Sequence, residues 1–417
     1  MQLSTQEMHT YVPAEDAIER ATSEQLCGGA GKTRLTVMLL ADELSPDSAE
    51  RQLVDLARGL DEERFRVLVT TLRVSTFLED ELRNTPGVEV RSLGWRGRWD
   101  TTVVPRLVGM LRREQVDAIQ CSAAATTVGL VAAMIARTPL KIVTQRHSAR
   151  SAGGLGRRFE DRLIRRADSL VIDSELGARR SVARGIPHEK LQVIYDGVPP
   201  EGVRTSIAER EALRSELGVL DESWLIGVAG RLTAEAGHGN FLQAASILRA
   251  EAPGTKFLVV GYGPLRAELQ RRATILGLDG SIIFAGPQVR LAPYIAAMDV
   301  AVLPGGDAGA SEFGLEAMGL GRPIVAVDAG SNQEFFPMGE VGLIVPPDNP
   351  IILAHAILEV MRHPDAVERM RARGRELFNE RFTMKRMIVS YDELYSDLWS
   401  RIGARRAQAR MKPVRSR

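Results

Sequence analysis

Short apolar runs alternate with segments of helical periodicity along most of the chain. The runs RLTVMLLA, FRVLVTTL and LKIVTQ contain few polar positions, whereas SAERQLVDLARGL repeats its apolar residues at helical spacing. Apolar strands that alternate with amphipathic helices are typical of a parallel sheet covered on both faces. The pattern therefore predicts an α/β fold.

This alternation occurs twice. The first series ends with SLVIDS and LQVIYDG, and the second runs from WLIGVAG to GLIVPPD. Between them, residues 198–211 contain prolines and no apolar face, which is typical of a linker. We therefore predict two Rossmann-like domains in tandem. The predicted segments are a disordered tail at 1–34, domains at 35–200 and 201–380, a helix at 381–402 and a basic tail at 403–417.

Composition excludes several classes of function. The 54 basic and 53 acidic side chains leave a net charge of +1, so the chain as a whole is not expected to bind nucleic acid. Cys27 and Cys121 lack a CxxC spacing, and the six histidines lack ligand spacing, so we expect neither a disulfide framework nor a metal site. The polar N-terminus and the absence of a run of ~20 apolar residues predict a cytoplasmic protein.

The segment CGGAGKT resembles a phosphate-binding loop. The nucleotide-binding pattern requires a glycine five positions before Gly31, where this chain has Leu26. The segment also precedes the first predicted strand instead of following one. A flexible glycine-rich link is therefore favoured over a triphosphate site.

Three loops of the second domain have features of a ligand site, because ligands of open parallel sheets bind beyond the carboxyl ends of the strands. GVAGRLTAEAGHGN contributes Arg231, whose guanidinium is suited to a diphosphate. VVGYGPLRAEL contributes two glycines that allow close approach of the backbone. LPGGDAGASEFGLEAMGLGRP predicts a helix over 312–320 that carries Glu316, a carboxylate able to hold the hydroxyls of a ribose.

The order of these motifs resembles the retaining GT-B glycosyltransferases, the large family that includes sucrose synthase and bacterial lipid-sugar transferases. The matching segments are AGRL, GYGPLRAEL, FAG, MDVAVLP, LEAMGLGRPIVAVDAGSNQE and GLIVPPDNP. The first half is similar more loosely. The resemblance implies two Rossmann-like domains facing across a cleft, with a nucleotide-diphosphate sugar as donor in the second and an acceptor in the first.

Two positions depart from the family pattern. Members usually hold the donor diphosphate with an Arg and a Lys, and here Arg231 is present but the lysine position is Ala236. Of two glutamates eight residues apart, the one that holds the ribose matches Glu316, whereas the one that contacts the sugar falls at Ala308. His238 is a candidate replacement for the lysine. Asp307 and Glu312 are candidate replacements for the glutamate.

The site residues follow from the loops and from the resemblance. The predicted donor-binding residues are Gly230, Arg231, Gly237, Gly261, Gly263, Pro287, Val289, Glu312, Leu315 and Glu316. The predicted catalytic residues are Arg231, His147 and Asp307, and the predicted acceptor-side residues are Arg146 and His147. No metal or cofactor is expected, because a guanidinium and a helix N-terminus can stabilise the leaving diphosphate.

The predicted function is transfer of a sugar, with retention implied by the resemblance, in synthesis of a cell-surface polysaccharide or glycolipid. A GT-B protein that only binds a nucleotide sugar or a partner is the alternative, and an epimerase of the same architecture is a third. Residues 141–166 carry eight basic and two acidic side chains, and residues 401–417 carry seven basic ones. The first segment is either a solvated helix face or a patch that faces anionic lipid head groups or a phosphorylated acceptor. The second is either a disordered tail or a contact to an anionic surface at the inner face of the cell membrane.

Overall fold

The computed structural model describes residues 34–44, 48–74, 79–97, 100–122, 125–146, 155–220, 222–306 and 308–411. The predicted tail up to residue 33, with its CGGAGKT segment, lies outside the described residues. The chain divides into two compact units, Met1–Gly197 with Lys385–Arg417, and Val198–Met384. Each unit contains one parallel sheet.

The first unit is built on a seven-stranded sheet of order β3-β2-β1-β4-β5-β6-β7. Its strands are Leu35–Ala41 (β1), Phe65–Thr71 (β2), Val88–Ser92 (β3), Ala118–Ser122 (β4), Leu140–Gln145 (β5), Ser169–Ile172 (β6) and Leu191–Val193 (β7). Its α-helices before the second unit are Ser48–Gly59 (α1), Glu79–Arg83 (α2), Val103–Arg113 (α3), Thr126–Ala136 (α4), Leu155–Ile164 (α5) and Glu175–Ala183 (α6). A 3-10 turn at His188–Lys190 precedes β7.

The second unit is built on a six-stranded sheet of order β10-β9-β8-β11-β12-β13. Its strands are Leu225–Ala229 (β8), Lys256–Val260 (β9), Ile282–Gly286 (β10), Val300–Leu303 (β11), Ile324–Val327 (β12) and Gly342–Val345 (β13). Its α-helices are Ile207–Glu216 (α7), His238–Glu251 (α8), Arg266–Ile275 (α9), Ala292–Ala297 (α10), Ala308–Gly319 (α11), Asn332–Phe335 (α12), Pro350–Arg362 (α13) and Pro364–Arg381 (α14). The helix Met384–Met411 (α15) follows.

The two sheets share one strand order. All pairings of the described strands are parallel, and in each sheet the first strand lies between the second and the fourth. This is the doubly wound arrangement, in which the chain reverses direction across the sheet beside its first strand. The predicted α/β class is confirmed.

The stretch predicted as a linker is ordered and belongs to the second unit. Pro200–Val203 forms a 3-10 turn, and α7 begins at Ile207. Ser206 and Glu209 form a reciprocal capping box, which satisfies two backbone donors at the start of α7. The stretch 198–211, predicted as a linker, thus starts at the division between the two units and contains ordered elements, and its role as a linker stays a prediction.

The boundaries of two other elements differ from the sequence pattern. Strand β3, at the edge of its sheet, is half-buried to exposed and carries alternating charges, so it lacks the apolar run that marks the other strands. Helix α11 begins at Ala308, four residues before the predicted start. A glycine- and alanine-rich turn gives little indication of where a helix begins.

Helix α15 returns to the first unit and packs on its sheet. The Tyr395 hydroxyl donates a hydrogen bond of 2.6 Å to the Gln120 side-chain oxygen of β4. The Tyr395 ring lies 5.7 Å from the ring of Phe65, and the Ile388 side chain fills the space above Gly59, which has no side chain of its own. Tyr395 and Phe65 are fully buried, so this helix completes the core of the first unit.

No helix of the described residues combines the length and the apolar character that crossing a membrane requires.

Candidate functional site

The switch point of the second sheet lies between β8 and β11. These strands are paired, and their carboxyl ends at Ala229 and Leu303 lead into the loops 230–237 and 304–306. A crevice at such a point is where ligands of open parallel sheets bind. The site is therefore built from two loops that are distant in sequence.

Close approaches between backbones require two glycines, Gly237 in the first of these loops and Gly261 in the loop that follows β9. A Cβ on Gly237, which has φ +73°, would lie 2.1 Å from the carbonyl oxygen of Pro304. A Cβ on Gly261, which has φ +131°, would lie 1.9 Å from the carbonyl oxygen of Gly230. No side chain fits at such distances, and the left-handed backbone also favours glycine. These predicted donor-loop glycines thus allow the loop backbones to lie in direct contact.

A pocket opens between the loops. It is lined by Val228, Ala229, Gly230, Arg231, Ala236, His238, Val302, Leu303, Pro304 and Phe313. Arg231 is exposed, and Ala236 is buried at 7% exposure. Helix α8 begins at His238, with Gly237 as its N-cap, so the positive end of that helix is directed to the pocket. A guanidinium and a helix N-terminus together suit an anion.

His238 is the buried polar group of the pocket. Its side chain is 2% exposed, and neither ring nitrogen has a hydrogen-bond partner among the described residues. Burial alone lowers the pKa of His238 to about 4, because the charged ring loses its hydration. The ring is therefore neutral at pH 7 in this structure.

Glu316 is the second unusual polar group of this unit. It lies two helical turns into α11, four residues after Glu312, so both carboxylates share one face of the helix. Burial, and then the charge of Glu312, raise the pKa of Glu316 well above its usual value. Its Oε2 atom is buried and has no hydrogen-bond partner among the described residues. A buried carboxylate oxygen that lacks a donor among the described residues is suited to accept a hydrogen bond from a ligand hydroxyl.

Models of known protein families match both halves of the chain. The model of the group 1 glycosyl transferases matches residues 224–363, and the model of Glycosyltransferase Family 4 matches residues 49–201. The chain is a GT-B glycosyltransferase of the group 1 and family 4 type.

Solved structures confirm the fold of this glycosyltransferase. HepE from Anabaena, solved in complex with UDP, superposes with a TM-score of 0.76 at 22% identity, over 87% of this chain and 100% of that one. The same protein has been solved with UDP-glucose and superposes with a TM-score of 0.75. At this identity, the likeness concerns the fold.

Named relatives of the glycosyltransferase act in different syntheses. The 2-deoxystreptamine glucosyltransferase of Streptomyces kanamyceticus is 27% identical over 67% of this chain and 69% of its own length. A lipopolysaccharide core biosynthesis glycosyltransferase of Rhizobium meliloti is 28% identical over 43% of this chain. The chain spans only about half of that second relative, 52% of its length.

The structure places the predicted donor residues of the glycosyltransferase in one unit, but not all at the pocket. Gly230 and Arg231 line the pocket, whereas the side chain of Leu315 is buried at 2% exposure. Pro287 and Val289 follow β10 and are exposed, Val289 fully. Asp307 lies outside the described residues. The donor role of each of these residues stays a prediction.

The predicted acceptor-side residues lie in the first unit of the glycosyltransferase. Arg146 follows β5, and its guanidinium forms an ion pair with the carboxylate of Asp196. Its side chain is 12% exposed, so it contributes to the packing of that unit. His147 lies outside the described residues, and its catalytic role stays a prediction.

Sequence reasoning missed one contact of Glu316, a predicted donor residue that is not among those lining the pocket. Gly202, within the stretch interpreted as a linker, lies against Glu316, since a Cβ there would be 2.9 Å from Oε1 of Glu316. The capping box of Ser206 and Glu209 was readable from the sequence and marks the order of the neighbouring helix. No sequence signal places Gly202 beside α11.

Proposed function

We propose that this glycosyltransferase moves a sugar from a nucleoside diphosphate sugar to an acceptor hydroxyl, with retention of configuration. The observation that carries the proposal is the pocket at the β8–β11 switch point, which joins Arg231 to the N-terminus of α8. The UDP and UDP-glucose complexes of HepE support a sugar nucleotide as the donor. The relative from Rhizobium meliloti supports a cell-envelope glycan or glycolipid as the product.

The leaving diphosphate requires positive charge more than a proton. The Arg231 guanidinium binds two phosphate oxygens, and the backbone N–H groups at the start of α8 add further donors. These groups stabilise the charge that develops as the sugar–oxygen bond breaks through an oxocarbenium-like transition state. We propose that the reaction therefore needs neither a metal ion nor another cofactor.

The ribose of the donor is held by Glu316. Its buried Oε2 accepts a hydrogen bond from a ribose hydroxyl, which supplies the partner that this atom lacks. Glu312 or Asp307 contacts the transferred sugar in place of the glutamate that the family pattern puts at Ala308. The acceptor is bound by the first unit.

A non-catalytic protein that binds nucleotide sugars is the second candidate. The observation that favours it is the pair of substitutions at Ala236 and Ala308, which removes one cation and one carboxylate from the family pattern. Loss of a charged contact to a diphosphate typically costs about 1.5–3 kcal/mol, which is about ten- to a hundredfold in affinity or rate. That loss slows a transferase without excluding it.

Release of nucleoside diphosphate separates the two candidates. The chain is incubated with UDP-, GDP- and ADP-sugars and a cell lipid extract, beside a Glu316→Gln variant and an Ala236→Lys, Ala308→Glu double variant. We expect release by the native chain that Glu316→Gln lowers at least tenfold. Tight binding without release by the native chain, with release only by the double variant, contradicts transfer and supports the binding protein.

We further propose that the chain works at the inner face of the cell membrane on a lipid-linked acceptor. One face of α5 and the turn after it is exposed, and Phe159 on it is 53% exposed. The exposed basic residues of this face are Arg157, Arg158, Arg162, Arg165 and Arg166. Arginines around an exposed aromatic ring suit an anionic lipid surface, to which each basic group adds about 1 kcal/mol.

Vesicle flotation tests this surface. Vesicles with 30 mol% anionic phospholipid should retain the native chain, and a variant with Arg157, Arg158 and Arg162 changed to Gln should bind about tenfold or more weakly. The matched control changes three exposed arginines of the second unit, Arg249, Arg271 and Arg369, to Gln. Equal loss in both variants would indicate attraction by net charge alone and would contradict a membrane role for α5.

A further inference from the structure

Within the described part of the chain, His238 is buried without the hydrogen bonds that a histidine with a structural role normally makes. It is the first residue of α8, it lines the pocket with Arg231, and it is 2% exposed. Both ring nitrogens are buried and have no partner among the described residues, although buried polar groups almost always have one. A ligand in the pocket would supply the missing partner.

Among the described residues, burial accounts for the lowered pKa of His238 and no neighbouring charge contributes to it. Arg231 is the charged residue that lines the pocket with it. Helix α11 contributes Phe313 to the pocket and carries Glu312 and Glu316 on either side of that residue in sequence. Other charged or titratable groups near α8 are Glu235, Arg272 beside Gly239, Asp348 bonded to Asn240, and His355 paired with Glu251.

We propose that His238 binds the diphosphate of the donor as an imidazolium, so that donor binding is coupled to the uptake of one proton from solvent at this ring. The inference rests on the proposed function, because it requires a sugar nucleotide in this pocket. It goes beyond that function by making donor affinity depend on pH. The donor itself is unchanged in this step, and the proton is the only species taken up.

The chemistry follows from the composition of the pocket. The family pattern supplies an arginine and a lysine to the diphosphate, and of these two this chain keeps Arg231 and has Ala236 at the lysine position. An anion beside a buried imidazole favours its charged form and opposes the burial that lowers its pKa to about 4 without ligand. A permanent lysine charge is thereby replaced by a charge that exists only when the diphosphate is bound.

The sign of the pH effect follows from linkage. A group that gains a proton on binding makes the complex tighter as the pH falls. The Kd falls tenfold per pH unit between the pKa of the ring in the complex and its pKa without ligand, which is about 4. Glu316 acts in the opposite direction, because its raised pKa falls when a ribose hydroxyl bonds to its ionised form. The contribution of His238 is therefore the difference between the native chain and a variant that lacks the imidazole.

Calorimetric titration with UDP-glucose at pH 7, in buffers of different ionisation enthalpy, counts the protons taken up. The variants are His238→Gln and, as a matched control, His355→Gln, whose ring is 62% exposed on α13. We expect the native chain and the control to take up between half and one more proton per donor than His238→Gln. We also expect the Kd of His238→Gln to rise tenfold or more at pH 6.

Equal proton uptake by the native chain and His238→Gln overturns the inference while leaving donor binding intact. Absence of binding to UDP-, GDP- and ADP-sugars overturns the proposed function and the inference with it. If His238→Gln does not fold, nitrogen NMR of the histidine rings of the native chain replaces it. A ring that is neutral at pH 7 without ligand and stays neutral in the complex then overturns the inference.

Discussion

Gly202 lies directly against Glu316. A Cβ on Gly202 would be 2.9 Å from Oε1 of Glu316 and 2.9 Å from Cγ1 of Val198, both closer than real contacts of this kind. The 3-10 turn Pro200–Val203 therefore covers one side of the carboxylate that we assign to the donor ribose. The position of this carboxylate depends on a residue more than a hundred positions away in sequence.

Gly202→Ala should displace Glu316 and weaken donor binding. The methyl group would meet both the Glu316 carboxylate and the Val198 side chain at 2.9 Å, so these neighbours must shift. We expect the Kd for UDP-glucose to rise three- to tenfold, equal to about 0.7–1.4 kcal/mol. Gly254→Ala is the control, since a Cβ there meets nothing within 4 Å. Equal affinities for the two variants would show that Glu316 does not hold the donor.

Glu316→Gln should stabilise the folded chain and impair its function. Burial raises the pKa of Glu316, so the folded state favours the protonated carboxyl, and the native chain loses stability as the pH rises above about 4.5 through the folded pKa. A neutral amide avoids this cost. We expect the variant to have a free energy of unfolding about 1–2 kcal/mol above native at pH 8 and equal to native at pH 4.

Denaturant unfolding at pH 4, 6 and 8 measures this difference. The exposed Glu222→Gln serves as the control and should match the native chain at each pH. A Glu316→Gln variant that is less stable at pH 8 than at pH 4, relative to native, would mean that the ionised carboxylate is stabilised in the fold. That result would contradict the burial of Oε2 of Glu316 without a hydrogen-bond donor among the residues that the structure describes.

Replacing Arg146 should lower the free energy of unfolding, because this residue is part of the packing of the first unit. It pairs with Asp196 and its side chain is 12% exposed, so Arg146→Met removes a largely buried ion pair. We expect the free energy of unfolding to fall by about 1.5–3 kcal/mol. The double variant Arg146→Met, Asp196→Asn should recover part of that loss. Native stability in Arg146→Met, with a raised KM for the acceptor, would instead support the acceptor-side role predicted from the sequence.

Tyr395→Phe tests how α15 is held on the first unit. The hydroxyl donates to Gln120, which is 3% exposed, so its removal leaves a buried amide oxygen without a donor. We expect a loss of about 1–2 kcal/mol in the free energy of unfolding. Tyr262→Phe, at a residue that is 52% exposed, should change it by less than about 0.5 kcal/mol. Similar losses in the two variants would show that the hydrogen bond to Gln120 does not account for the loss of stability.

The sequence by itself determined the fold class and most elements. Apolar strands such as Leu35–Ala41 and Val300–Leu303 are buried along their whole length, so periodicity and composition mark them without tertiary information. The glycines that follow β8 and β9, and Arg231 next to the first of them, were likewise visible, because a strand end followed by glycine has a local signature. These are properties of neighbours along the chain.

Only the tertiary structure decided what the candidate site contains. The pocket arises because strand order places the ends of β8 and β11 side by side, and the contact of Gly202 with Glu316 arises because an ordered 3-10 turn packs on α11. The ring of His238 and Oε2 of Glu316 have no partner in the described part of the chain, and residue type alone does not reveal this. Whether a polar atom has a partner depends on the residues that surround it in space, and a sequence pattern specifies only those that lie beside it along the chain.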